Sequence, residues 1–259
     1  MTPQKAFAGF AILFALLGSP RSQPANAQTP LRVAAAADLE PVLPPILDQF
    51  HKATGIPAEA TYQASAILTS QIQNGAPFDI FLSADTQFPR RLLDAGFAEG
   101  SAPTVYARGT LVLWTPNAAH LPPPSLDLLR GAQIKRLSIA NPESAPYGRA
   151  AVAALRSLHL YDALSARLVT AQNIAQAAQF VDSGNADAGL ISLTLALTPR
   201  LAANGRYFVM PRDAYPPIAQ GAVVLKRSQQ QQAAHKLLNM LLSPAVQAQL
   251  AKSGLTPVN

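Results

Sequence analysis

The sequence predicts an α/β protein whose parallel sheets are covered by helices on both faces. Two observations carry this. From Leu31 to Leu82, short apolar runs of strand length alternate with stretches whose apolar residues recur at helical spacing. The resulting strand–helix–strand–helix–strand order is that of a parallel sheet covered on both faces. Composition agrees. The chain of 259 residues is 49% hydrophobic and 13% charged, against about 25% charged in ordinary soluble domains. That excludes a disordered chain, which would be charge-rich and apolar-poor. At roughly 150 residues per domain, the length fits one large domain or two modest lobes.

The first 27 residues stand apart. Lys5 precedes an apolar run, Ala6 to Gly18, and a polar stretch ends at Ala25-Asn26-Ala27. A basic start, a short apolar core and an Ala-x-Ala end make a secretory signal peptide. The run is too short to cross a bilayer as a permanent helix. The competing reading, a buried N-terminal helix, is opposed by Pro20 and Pro24. Cleavage after Ala27 removes Lys5 and Arg21 and lowers the formal charge from +6 to +4. The absence of cysteine excludes disulfides, thiolate metal sites and a cysteine-borne lipid anchor. The expected location is the periplasm.

The mature elements follow in order. Leu31 to Ala37 reads as a short buried strand. A helix is expected from Asp38, with Leu39, Val42, Leu43, Ile46, Leu47 and Phe50 at helical spacing and Asp38 as its N-cap. Pro44-Pro45 is expected to kink or split it, and Gly55 stops it. Ala58 to Tyr62 is a second strand. Ser65 opens a second helix with Ile67, Leu68 and Ile72 on its buried side. Asp79 to Leu82 is a third strand. Further strands are expected at Thr110–Trp114, Lys135–Ala140, Ala188–Ser192 and Ile218–Leu225. Further helices are expected at Gly148 to about Leu158, Ile174–Ser183 and Gln230–Lys252.

Several chemistries are missing. The sequence holds no nucleophile-elbow, P-loop or dinucleotide-binding glycine motif. His51, His120, His159 and His235 are scattered, none at metal spacing. Arg90-Arg91 is a doublet rather than a patch, which argues against nucleic acid. Asp79 and Asp85 flank one strand and could serve a secreted hydrolase, but no histidine or metal ligand accompanies them. The structural alternative has Asp79 as a fold residue and Asp85 as the cap of the next helix.

One chemistry is present. Strand ends run into helix N-termini at Ala37-Asp38, Ala64-Ser65-Ala66, Pro146-Tyr147-Gly148 and Asn173-Ile174. A helix N-terminus offers free N–H groups and about half a positive charge, which suits an anion. Open α/β sheets place ligands outside the carboxyl ends of strands, where these junctions lie. Against this, Ser, Asp and Asn are also ordinary N-caps.

The segments Val33-Ala-Ala-Ala-Ala-Asp-Leu39, Tyr62-Gln-Ala-Ser65, Gly75-Ala-Pro77 and Asp79-Ile-Phe-Leu-Ser-Ala-Asp85 strongly resemble the periplasmic molybdate-binding proteins of ABC importers. Ala140-Asn-Pro-Glu-Ser-Ala-Pro-Tyr-Gly-Arg149, Asn173-Ile174 and Ala188-Gly-Leu-Ile-Ser192 continue the likeness. The resemblance implies a two-lobed type II periplasmic binding protein fold, each lobe a mostly parallel sheet with flanking helices and the ligand in the cleft between. Lobe 1 would comprise residues 28–109 plus 222–259, and lobe 2 residues 110–221. The crossover strands would lie near 109–114 and 218–225. The resemblance also implies an oxyanion site at Ala37, Asp38, Ser65, Tyr147, Ile174 and Ser192, built from neutral donors. Molybdenum would enter only as molybdate. The implied ligand is molybdate, with tungstate; the alternatives are sulfate, phosphate or a small organic anion. The implied partner is the membrane permease of an importer. A monomer with no cofactor and no catalysis is expected. This sequence departs from some relatives, which have Ser at position 38 and Tyr at position 192.

Overall fold

The computed structural model describes residues 1–3 and 29–258. The expected signal peptide therefore falls largely on residues outside the described ones.

The first part of the chain runs β1 (Leu31–Ala36), a short 3-10 turn (Ala37–Leu39), α1 (Leu43–Thr54), β2 (Ala58–Gln63), α2 (Ser65–Gln73), β3 (Ile80–Ser83), α3 (Gln87–Asp94) and β4 (Thr104–Gly109). The second part runs β5 (Leu111–Pro116), α4 (Leu126–Arg130), β6 (Leu137–Ala140), α5 (Pro146–Ser157), α6 (Tyr161–Leu164), β7 (Leu168–Ala171), α7 (Ile174–Asp182), β8 (Ala188–Ser192), α8 (Leu193–Ala196), α9 (Pro199–Asn204) and β9 (Gly205–Val209). The chain then closes with β10 (Ile218–Val224), α10 (Gln231–Leu241) and α11 (Pro244–Lys252).

These strands form two five-stranded sheets, ordered β2-β1-β3-β10-β4 and β7-β6-β8-β5-β9. The chain passes from the first sheet to the second at Gly109–Leu111, where β4 gives way to β5. It returns between β9 and β10. β10 pairs with β3 and β4 from Ile218 to Val224, so the return crossing is made by residues 210–217 and not by the strand itself.

Both sheets are mixed rather than parallel throughout. β1 is parallel to β2 and β3, and β6 is parallel to β7 and β8. β10 and β5 each run antiparallel to both neighbours. A strand that enters directly from the other lobe, without a crossover helix, is free to take the opposite direction.

The faces are filled as the apolar runs require. Along β1, Val33 and Ala35 pack on one side with Ile46, Phe50 and Leu237, while Ala34 packs on the other with Leu68, Ile72 and Phe81. The second lobe has its own cluster around Leu113, Trp114, Ile139, Leu155, Val181 and Leu190.

Three expectations need correction. No α-helix starts at Asp38. The chain makes a 3-10 turn there, and α1 begins at Leu43 with Pro44 and Pro45 in its first turn, where a missing N–H costs no hydrogen bond. On α2, Leu68 and Ile72 are buried but Ile67 is 45% exposed, off the stripe that faces the sheet. The C-terminal helix is broken at Ser243-Pro244, where Ser243 caps α11 by accepting from the Val246 N–H at 3.4 Å. β4, β7 and β9 lie outside the strands that the sequence predicts.

Candidate oxyanion site

The ends of the helices that meet between the lobes are capped in two ways. α7 is capped by its own Asn173, whose Oδ1 accepts from the Gln176 N–H at 2.9 Å. The N-caps of the turn at Ala37, of α2 and of α5 are Ala36, Ala64 and Ala145, none with a side-chain acceptor. Alanine is among the poorest N-caps, since it leaves the first-turn N–H groups to find other partners. All three alanines are buried, so water is a poor substitute. One first-turn N–H is taken: Ala66 donates to the Ser144 carbonyl of the other lobe at 3.1 Å.

The same ends line one narrow pocket, whose walls include Ala37, Asp38, Ser65, Tyr147 and Ile174. Five of the six expected residues are thus brought together. Ser192 does not line this cavity. It is fully buried at the end of β8, where its Oγ accepts from the Leu195 N–H at 3.4 Å and lies 2.9 Å from the Thr194 hydroxyl. Thr194 in turn donates to the Asp38 carbonyl at 2.8 Å, across the cleft.

Ser65 is placed by the β2–α2 junction, and its Oγ accepts from the Ala84 N–H at 3.2 Å, leaving the hydroxyl proton free for another acceptor. The α5 N-terminus lies hard against the end of β6. A Cβ on Gly148 would come within 2.3 Å of the Ala140 carbonyl oxygen. Glycine at 148 is what lets the Tyr147 backbone reach the cleft.

Asp38 is the unusual member. Its carboxyl is fully buried, and it does not cap a helix. Oδ2 accepts from the Tyr147 hydroxyl at 3.2 Å and from the Gln220 amide of β10. Oδ1 has no hydrogen-bond partner, nor has the Gln220 carbonyl oxygen. Burial pushes the carboxyl up from 3.8 to about 7, with the Gln220 and Tyr147 hydrogen bonds pulling the other way. The Tyr147 and Tyr106 phenols are held well above their ordinary range by burial and by the neighbouring Asp38 charge, so both stay protonated donors.

Sequence reasoning missed Gln220 and Thr194, which hold Asp38 from two other elements. Gln220 carried a signal: a lone polar residue inside an otherwise apolar strand. Of the two carboxylates weighed for catalysis, Asp79 accepts from the Arg32 N–H at 2.8 Å and from the Ser228 hydroxyl at 2.5 Å. Asp85 accepts from the Phe88 N–H at 3.1 Å at the start of α3. Both serve the fold. Among the described residues no group of three or more His, Cys, Asp or Glu is placed to hold a metal ion. No described helix is long and apolar enough to cross a membrane.

Comparison with known proteins gives a consistent picture. The family model described as bacterial extracellular solute-binding protein matches residues 31–256. The chain is 38% identical over 214 residues to the molybdate-binding protein ModA of Azotobacter vinelandii, covering 83% of this chain and 84% of that one. It is 33% identical over 252 residues to the corresponding protein of Rhodobacter capsulatus, covering 97% of both. Among solved structures it is similar to the periplasmic molybdate-binding protein of A. vinelandii, with a TM-score of 0.81 and 32% identity, over 88% of this chain and 100% of that one.

Proposed function

Because this chain belongs to the bacterial extracellular solute-binding proteins, we propose that it captures molybdate, and tungstate with it, and hands the anion to the permease of an ABC importer. It does so in the periplasm, as a monomer, without cofactor or catalysis. The observation that supports this best is the convergence of alanine-capped N-termini on one pocket between the lobes. A doubly charged anion with four oxygens accepts many hydrogen bonds, and the charge-assisted ones are strong. The contacts are the N–H groups near Ala37, Asp38, Ser65, Tyr147 and Ile174 and the Ser65 hydroxyl. Ser192 contributes through Thr194, which ties Asp38 to the second lobe. A smaller sulfate would leave some buried donors unpaired, at about 1–3 kcal/mol each. Contacts from both lobes favour the closed state, which is the signal the permease reads.

Calorimetric titration of the purified protein with molybdate, tungstate, sulfate and phosphate tests this reading. Saturable binding of the first two at a 1:1 ratio is expected, with sulfate and phosphate silent. No heat from either metal oxyanion would refute it. Ser65→Ala is expected to weaken molybdate binding about tenfold or more, by loss of one charge-assisted bond. It also strands the Ala84 N–H, so Tm should fall modestly while the fold persists.

A further inference from the structure

We propose that Arg149 is a positioning residue for capture: its ion pair with Asp85 holds the lobes closed over the bound anion and sets its rate of release. For its ligand, this inference rests on the function proposed above.

Arg149 stands in the first turns of α5, in the second lobe. Its guanidinium reaches Asp85 Oδ2, in the segment between β3 and α3 of the first lobe. It also lies over the ring of Phe88, 5.2 Å from the centroid, again in the first lobe. The carboxylate is fixed from its own side: Oδ1 accepts from the Phe88 N–H and the Ser83 hydroxyl, both at 3.1 Å. Oδ2 is therefore not needed to cap α3, and the ion pair is not needed to fold the first lobe. The two side chains are 33% and 13% exposed, so the pair is partly shielded from water.

Its place relates it to the ligand. Asp85 and Arg149 line a cleft that shares Ala84 and Pro146 with the oxyanion cavity. The pair thus bridges the mouth of the site. When the lobes part, the bridge must break before the anion can leave. Three other bonds noted above cross the cleft, Ala66 N–H to the Ser144 carbonyl, Thr194 hydroxyl to the Asp38 carbonyl and Tyr147 hydroxyl to the Asp38 carboxyl. None joins two charged groups, so salt acts chiefly on the Arg149–Asp85 bridge.

The release rate of molybdate from the full chain, measured by stopped-flow, tests this. Arg149→Gln and Asp85→Asn are each expected to speed release about five- to tenfold. The double variant is expected to release no faster than either single one, because both remove one interaction. Arg149→Lys should retain part of the effect. Raising NaCl to 0.5 M should speed release from the parent and leave Arg149→Gln unmoved. Unchanged release in Arg149→Gln, or effects that multiply in the double variant, would overturn the proposal. If molybdate does not bind at all, the function proposed above fails, and small-angle scattering of the unliganded proteins decides the latch. The expected result is then a larger radius of gyration for both single variants than for the parent, and equal radii would overturn it.

Discussion

Asp38→Asn is expected to stabilise the protein at alkaline pH and leave it almost unchanged in acid. The free carboxyl of the unfolded chain loses its proton near 3.8, whereas burial holds that of the folded chain to about 7. Between these values the folded protein carries a proton that the unfolded chain has lost. Stability from this group is therefore greatest below about pH 4. It declines as pH rises towards 7 and levels off above. Three units at ~1.4 kcal/mol each place the cost at pH 8.5 near ~4 kcal/mol. The asparagine keeps an acceptor for Tyr147 and Gln220 but carries no charge. A gain of about 2–4 kcal/mol is expected at pH 8.5, or a rise in Tm of roughly 5–10 °C. Binding should follow the same sign. A dianion beside Asp38 favours its protonated form, so the parent's affinity should drop tenfold or more from pH 6 to pH 8.5, given the strength of charge repulsion in a buried site. The variant's affinity should stay flat. Thermal melts and titrations at both pH values check this, and parallel pH profiles for parent and variant would contradict it.

Gly148→Ala should damage stability and binding together. The added Cβ would meet the Ala140 carbonyl oxygen at 2.3 Å and two backbone carbons at 2.8 Å. These are backbone atoms at the end of β6, which cannot rotate away. Either α5 lifts from the sheet or β6 shifts, and overpacking of this kind costs about 1–3 kcal/mol. Lifting α5 also withdraws the Tyr147 N–H and hydroxyl from the cavity. The expected outcome is a Tm lower by roughly 3–10 °C and molybdate affinity reduced at least tenfold. A variant that melts lower but binds normally would show that α5 is not part of the anion site.

Much of the fold was legible. β8 matches its expected bounds, Ala188–Ser192, and α2 opens at Ser65 as the polar junction suggested. β8 is buried along its whole length, and α2 is buried at Leu68 and Ile72 though not at Ile67. β4, β7 and β9 escaped because they lie at sheet edges with half-exposed faces, which breaks up the apolar run. The direction of β10 was not legible either, since strand sense depends on the route of the chain and not on side-chain pattern.

The site was readable mainly through resemblance, for a physical reason. Backbone N–H groups belong to no residue type, and the cap alanines at 36, 64 and 145 look like any core alanine. By its sequence Asp38 reads as the cap of its own helix. Its partner Gln220 lies 182 residues further along the chain, and no local pattern reports such a meeting.

The central claim is that an oxyanion is held by backbone donors at these N-termini. Amide NMR of 15N-labelled protein tests it most directly. One equivalent of molybdate is expected to move the amide resonances of Asp38, Ser65, Tyr147 and Ile174 in slow exchange, with sulfate leaving them in place. Unmoved resonances at these four positions, with shifts instead around the half-buried Arg32 and the exposed Arg227, would contradict it.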